Sequence, residues 1–161
     1  YLEMDNRPNF DWPKNLKHKL TILLAENFPA WYLLFFYKQV GKNYYWTDWL
    51  RKTDDEINEF VDDKNVLLYT LIKDGWPVGF YMLDYRIKDI CDLSFFGLVD
   101  EVIGIGLGKY LLQTAILTAW DSRKIKKLTV NTCSLDHKSA IYLYQKYGFT
   151  PVKYKDLEKT V

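Results

Sequence analysis

The stretch "VIGIGLGKYLL" sets Gly104, Gly106 and Gly108 at every second position, with Ile105 and Leu107 between them, where a long apolar segment begins. Glycines so spaced clear side chains from a short loop. Successive backbone N–H groups can then converge on one anion, and a helix starting there adds the positive end of its dipole. The chemistry on offer is phosphate binding. The same glycines also suit a tight turn that only lets two elements pack closely, and spacing alone leaves both readings open. Two familiar phosphate loops are excluded. Gly108 and Lys109 supply a GK pair, but Ile103 stands where a Walker loop needs its first glycine, and Tyr110 where it needs Ser or Thr. A dinucleotide fingerprint needs G-x-G-x-x-G in a first βαβ unit, whereas this loop is G-x-G-x-G in mid-chain.

Other reactive side chains are sparse. Cys91, Cys133, His18 and His137 are too scattered to give ligand spacing, so no metal site is expected. His137 follows Asp136 at the head of a helical pattern; either residue can cap that helix, and His137 can instead meet a ligand. The cations of "SRKIKK" read as a solvated loop.

These residues must be held by flanking elements. "YLEM" and "KLTILLAEN" read as strands, followed by a helix from Phe28 to Val40 that stops at Gly41. Thr53 and Glu56 make a capping box that opens a helix through Val61. "NVLLYTLIKD", a turn at Asp74 and Gly75, and "WPVGFYMLDYR" predict a hairpin, with "ICDLSFFGL" as the next strand. Apolar residues at 107, 111, 112, 115, 116, 119 and 120 form a helical stripe wide enough to need a sheet beneath it. "KLTVNTC" is then a strand and His137 to Tyr147 a helix ended by Gly148. "FTPVKYKDLEKTV" supplies one or two closing strands. Strand, helix, strand, helix after an antiparallel meander predicts a mixed α/β sheet with a right-handed crossover in its second half.

Composition bounds the function. The 161 residues, 48% hydrophobic and 27% charged, carry no repeat or linker and predict a single domain over 1–161. A net charge of +1 provides no general basic field for nucleic acid or an anionic membrane. The longest apolar run, "FPAWYLLFFY", is far short of the ~20 residues that span a bilayer. Two cysteines make no disulfide framework and read as buried thiols of a cytoplasmic protein. Tyr1 is not an initiator Met, and the sequence does not say what stands before it.

Two segments carry a resemblance. "VNTCSLDHKSAIYLYQKYGF", with its strand, polar turn, short helix and Tyr-Gly-Phe ending, resembles the closing half of the GNAT acyl-CoA-dependent N-acyltransferases. "SFFGLVDEVIGIGLGKYLL" resembles their fourth strand and coenzyme A pyrophosphate loop, usually Arg/Gln-x-x-Gly-x-Gly/Ala. Together they cover Ile90 to Phe149, and the likeness is greatest to a bacterial branch of acetyltransferases with similar "FGL" and "TCSLDH" segments. The resemblance implies a mixed, mostly antiparallel sheet with a splayed parallel strand pair and flanking helices. It also implies acetyl-CoA as cosubstrate, no metal, and acetyl transfer to an amine, expected to be that of a small molecule. A protein N-terminus or lysine is the alternative acceptor, an acyl-CoA sensor without turnover the alternative function, and a homodimer is compatible with either.

By the same resemblance, residues Ile103, Gly104, Ile105, Gly106, Leu107, Gly108 and Lys109 form the coenzyme loop, with His137 near the pantetheine. Backbone groups near Gly97 and Leu98 bind pantetheine and polarise the thioester carbonyl, and Tyr144 touches the coenzyme and protonates the departing thiolate. Because a primary amine, with a pKa of roughly 10.4, is charged at neutral pH, a carboxylate must help remove its proton. Asp92 and Glu101 are the candidates. Tyr45, Trp46 and Trp49 in "KNYYWTDWLRK" lie where family members wall the acceptor site, and suit a partly apolar or cationic amine. Ile103, Ile105 and His137 depart from the family's Arg or Gln, basic residue and Asn. Losing cations from the loop leaves its backbone cradle, so weaker coenzyme binding is expected rather than none.

Overall fold

In the computed structural model, which describes residues 1–14 and 17–156, the apolar runs become seven strands and four helices. The order is β1 (Leu2–Met4), β2 (Leu20–Ala25), α1 (Ala30–Gly41), a 3₁₀ turn (Asp48–Arg51), α2 (Asp54–Val61), β3 (Val66–Lys73) and β4 (Trp76–Asp84). Then follow β5 (Ile90–Leu98), a second 3₁₀ turn (Asp100–Val102), α3 (Leu107–Ser122), β6 (Lys127–Val130), α4 (Ala140–Lys146) and β7 (Thr150–Pro151). One sheet runs β2-β3-β4-β5-β6-β1-β7. Its neighbours are antiparallel except β5 and β6, which α3 joins as a parallel crossover.

Both faces of the sheet are covered. The stripe of α3, including Leu111, Leu112, Ala115 and Ile116, buries against Tyr81, Leu83, Cys91, Leu93 and Leu128. On the other face Leu33, Phe36 and Val40 of α1, with Ile57 and Phe60 of α2, cover Leu68, Phe80 and Met82. The Thr53–Glu56 capping box forms as the sequence predicts, with Thr53 Oγ1 accepting from the Glu56 N–H and Glu56 from the Thr53 N–H.

The parallel ladder is short. It pairs Ile90 with Lys127, Cys91 with Leu128, Asp92 with Thr129 and Leu93 with Val130, and there it stops. β5 continues to Leu98 on β4 alone, with a register shift that leaves Ser94 as a bulge between Leu93 and Phe95. A bulge kinks and twists its strand, and this one sits where β5 leaves β6.

Several boundaries move for local reasons. α1 starts at Ala30, not Phe28, because Phe28 precedes Pro29 and a residue before proline is driven from helical angles. Gly41 ends α1 inside the helix; an added Cβ there would overlap the Trp46 side chain, so close approach rather than a left-handed cap explains it. β6 ends at Val130 instead of Cys133, since β5 has splayed away and β1 reaches no further than Leu2. α4 opens at Ala140 rather than His137, because the Asp136 carboxylate takes the Cys133 N–H and holds the preceding residues in turns. One closing strand, β7, pairs with β1, while residues 157–161 of the segment expected to close the sheet lie outside the described residues. Cys91 is buried, but Cys133 is only half-buried, in the loop after β6.

Gly97 is set by packing, since its Cβ position is filled by Val40 Cγ1 from α1. Gly97→Ala is expected to cost about 1–3 kcal/mol through overpacking. Adding Val40→Ala should recover part of the loss, because the two sites share one contact. Thermal melts of the single and double variants check this.

Candidate coenzyme and acceptor site

The site begins with the backbone that the splay leaves bare. Val99 N donates to Val78 O at 2.9 Å, which fixes the alternation along β5. Gly97 therefore turns its N–H and C=O to β4, while Phe96 and Leu98 turn theirs toward the gap. Of the two residues expected to polarise a carbonyl, Leu98 is so placed and Gly97 is not; Phe96 joins instead. Sequence reading missed this because the phase of a ladder depends on its partner strand.

At the outer end of the gap lies the glycine loop. Gly104 and Gly106 have φ of +89° and +87°, angles that side chains resist, and a Cβ at either would meet nothing within 4 Å. Gly106 is the N-cap of α3 and provides no capping side chain, so the first N–H groups of that helix stay open. No backbone N–H from Gly104 to Gly108 finds an acceptor among the described residues outside α3. The loop is thus an exposed row of donors at a helix N-terminus. Ile103 and Ile105 point their side chains into solvent at 40% and 47% exposure, and Lys109 is exposed in the first helical turn. Leu107 is buried and anchors the loop to the core. Gly108 has no positive φ; its Cβ would lie 3.9 Å from Leu143 and 4.0 Å from Leu98, in the passage between α4 and β5.

Tyr144 spans the gap from α4. Its ring lies edge-on to Phe96 of β5 (centroids 6.2 Å) and to Phe149 (5.7 Å), and the residue is 6% exposed. Burial, and then the Asp136 carboxylate, push its hydroxyl well above the usual tyrosine value. That hydroxyl makes no hydrogen bond among the described residues.

At the foot of the splay, Asp92 accepts from Thr129 Oγ1 at 2.5 Å and from Ser94 Oγ at 2.9 Å. Burial raises its carboxyl above the ordinary range, against the pull of the two hydroxyls. Ser94, two residues on from Asp92, shares its side of the strand by ordinary alternation, and the bulge turns Phe95 to that side as well, where it packs with the α1 and α2 layer. Glu101, the other acid, is exposed on the second 3₁₀ turn, outside this cluster. Neither Ser94 nor Thr129 was legible as a site residue from sequence.

The loop after α1 crosses the mouth of the gap. Asn43 Nδ2 donates to Asp100 Oδ2 at 2.7 Å and Lys42 Nζ pairs with the same carboxylate at 3.4 Å, tying the loop to the end of β5. Trp46 Nε1 donates to Asp136 Oδ1 at 3.1 Å, and Tyr44 meets the His137 ring at 6.1 Å, tying it to the turn after β6. The loop therefore straps both lips of the gap. Trp46 and Trp49 both meet Phe95, at 6.2 and 5.4 Å, and form one aromatic wall with Tyr37. Trp49 also packs on Phe60 and shares the core of that face. Tyr45 stands apart, 46% exposed with φ at +56°. His137 is exposed, and its Nδ1 engages Ser139, so neither it nor Asp136 caps α4. Among the described residues no cluster of metal-ligating side chains occurs, and no helix is long and apolar enough to cross a membrane.

Comparison with known proteins accords with this geometry. A profile of the acetyltransferase (GNAT) family matches residues 23–149. The chain belongs to that family, and is thereby an N-acetyltransferase with acetyl-CoA as cosubstrate. No curated protein sequence matches it. Among solved structures, it resembles a GNAT family acetyltransferase from Elizabethkingia anophelis with acetyl-CoA bound, at 21% identity and a TM-score of 0.63, covering 83% of this chain and 78% of that one. An IAA acetyltransferase from Bacillus cereus aligns at 22% identity, TM-score 0.63, over 84% of this chain and 79% of that chain. The aminoglycoside acetyltransferase AAC(6')-Iy, in complex with a bisubstrate analogue, aligns at 14% identity, TM-score 0.63, over 89% and 99%.

Acetyl-CoA at ~100 times its dissociation constant should add about 2.7 kcal/mol to the stability of the protein. Gly106→Val should abolish that rise in a thermal melt and lower the melting point without ligand, since valine resists positive φ. Tyr45→Gly relieves a left-handed tyrosine and should stabilise by about 1 kcal/mol. Chemical denaturation of that variant measures the gain.

Proposed function

We propose that the acceptor is the primary amine of a small, cationic, partly apolar molecule, bound beneath the strap of residues 42–47. The observation that carries this reading is the strap itself, which narrows the acceptor side of the gap with aromatic rings and carboxylates. Burial first, then the Asp100 and Asp136 carboxylates, push the Tyr44 hydroxyl above its usual value, so both carboxylates lie near that mouth. A cation is favoured there, and aromatic faces add ~0.5–2 kcal/mol to its binding. A narrow mouth favours a small molecule over a protein N-terminus or lysine. The two free thiols accord with a cytoplasmic setting.

Acetyl-CoA supplies the activated acyl group. The N–H groups of the loop from Gly104 to Gly108 hold its diphosphate, and the bare backbone of Phe96 and Leu98 holds the pantetheine and polarises the carbonyl. Asp92, acting through water, takes a proton from the incoming ammonium so that its nitrogen can form the new C–N bond. As the C–S bond breaks, the Tyr144 hydroxyl gives its proton to the sulfur and recovers one from the amine nitrogen. The Tyr144 hydroxyl is engaged by no side chain or backbone group among the described residues and is left for the departing sulfur, which favours turnover over a binding-only sensor.

Tyr144→Phe keeps the ring contacts and should lower kcat ~10²-fold or more with acetyl-CoA binding unchanged. An unchanged kcat returns the residue to the core. Asp92 works only as the carboxylate, and its raised folded value moves that requirement upward, so kcat/KM should fall as pH drops through it. Asp92→Asn should lower the rate roughly tenfold or more and flatten this acid limb. A pH profile against an amine panel reads both. Trp46→Ala should raise the amine KM several-fold.

A further inference from the structure

The strand at one end of the sheet has features that the acetyl-transfer site does not use. β2 pairs only with β3, in unbroken register from Leu20–Lys73 to Ala25–Leu68. Its six residues, "LTILLA", contain no charge, no proline and no bulge, the devices that usually stop an edge strand from pairing further. Lys19 O accepts from Asp74 N at 3.1 Å, so the alternation turns Thr21, Leu23 and Ala25 to β3. The N–H and C=O groups of Leu20, Ile22 and Leu24 point outward and meet no further strand among the described residues. Leu23 and Leu24 are 53% and 43% exposed. Shallow grooves run beside the strand, one bounded by Leu20, Thr21 and Ile72, the other by Leu23, Leu24 and Tyr32.

We propose that this edge is the interface of a homodimer, in which β2 pairs antiparallel with β2 of a second copy across a twofold axis at Ile22. The charges on the page select that occupant. Lys17, His18 and Lys19 precede the strand and Glu26 follows it. With Ile22 opposite its own copy, Leu20 meets the partner's Leu24, and Glu26 meets the partner's His18 between Lys17 and Lys19. Parallel pairing would instead set like charges side by side. The register also keeps faces matched, because residues paired across an antiparallel ladder point the same way. Leu20 and Ile22, already packed on the α3 side of the core, meet the same stripe of the second copy, and that core continues across the axis. On α1, which starts five residues after β2, Trp31 (67% exposed) and Phe35 (38%) stand one turn apart. The twofold closes, so the assembly ends at two.

Sedimentation velocity and light scattering on the whole chain at about 50 µM test this. The expected mass is twice 19.2 kDa. Leu24→Lys should give a monomer that keeps its circular dichroism spectrum. Glu26→Lys, on an exposed residue, faces the partner's cations and should weaken the dimer about tenfold or more, with the loss shrinking in high salt. A monomeric wild type, an open-ended series of larger species, or a Glu26→Lys variant with undiminished dimer affinity overturns the proposal. So does a folded Leu24→Lys variant that remains dimeric. Should Leu24→Lys fail to fold, the Glu26→Lys measurement decides by itself.

Discussion

The constraint on which the rest of the structure depends is the early end of one hydrogen-bonded ladder. β5 and β6 share four residue pairs and then part, with the Ser94 bulge at the point of departure. Backbone donors and acceptors away from water are costly to leave unpaired. A sheet interior that exposes them on Phe96 and Leu98 is a place made for another extended chain. The remaining elements are arranged about that break: α3 sets its N-terminus and glycine loop at the outer end, α4 lowers Tyr144 across the gap, and the loop after α1 closes the acceptor face.

The two faces of the sheet are packed by different helices. On the α3 side Leu107, Leu111, Leu112 and Ile116 are fully buried, which fixes the direction of the helix that begins at the glycine loop. The α1 and α2 layer is aromatic, and Phe95 joins its core to Trp46 and Trp49. Aromatic wall and core are continuous there, so the shape of that side of the gap is held by packing as well as by loop hydrogen bonds. Val40 against Gly97 links α1 directly to the strand that lines the gap.

Much of this was legible in the chain. The glycine loop, the capping box at Thr53, the Asp74–Gly75 hairpin and the stripe of α3 are local patterns, and each appears as its periodicity or turn chemistry requires. The parts that were not legible depend on partners distant in sequence. Nothing around Gly97 says that Val40 fills its Cβ position, or that Gly97 faces β4 while Leu98 faces the gap. Asp92 could be named as an acid, but its hydroxyl partner Thr129 is brought to it by a crossover strand from 37 positions away. The roles of Asp100 and Asp136 as anchors of the α1 loop were hidden for the same reason: Asn43 reaches across 57 positions and Trp46 across 90. Glu101 and Tyr45 had the right residue types and fell on exposed backbone.

The strap formed by residues 42–47 has a thermodynamic consequence. Because Asn43 and Lys42 hold the lip that continues β5 while Trp46 holds the lip that follows β6, the width of the gap is one variable shared by both of its sides. A molecule that wedges the lips apart from the coenzyme side works against the Trp46–Asp136 and Asn43–Asp100 bonds, and so alters the shape offered to whatever enters from the amine side. Linkage makes such an effect reciprocal: the factor by which one ligand changes the affinity of the second is the factor by which the second changes the first. Two side-chain hydrogen bonds are then enough for the two sides of the gap to sense each other.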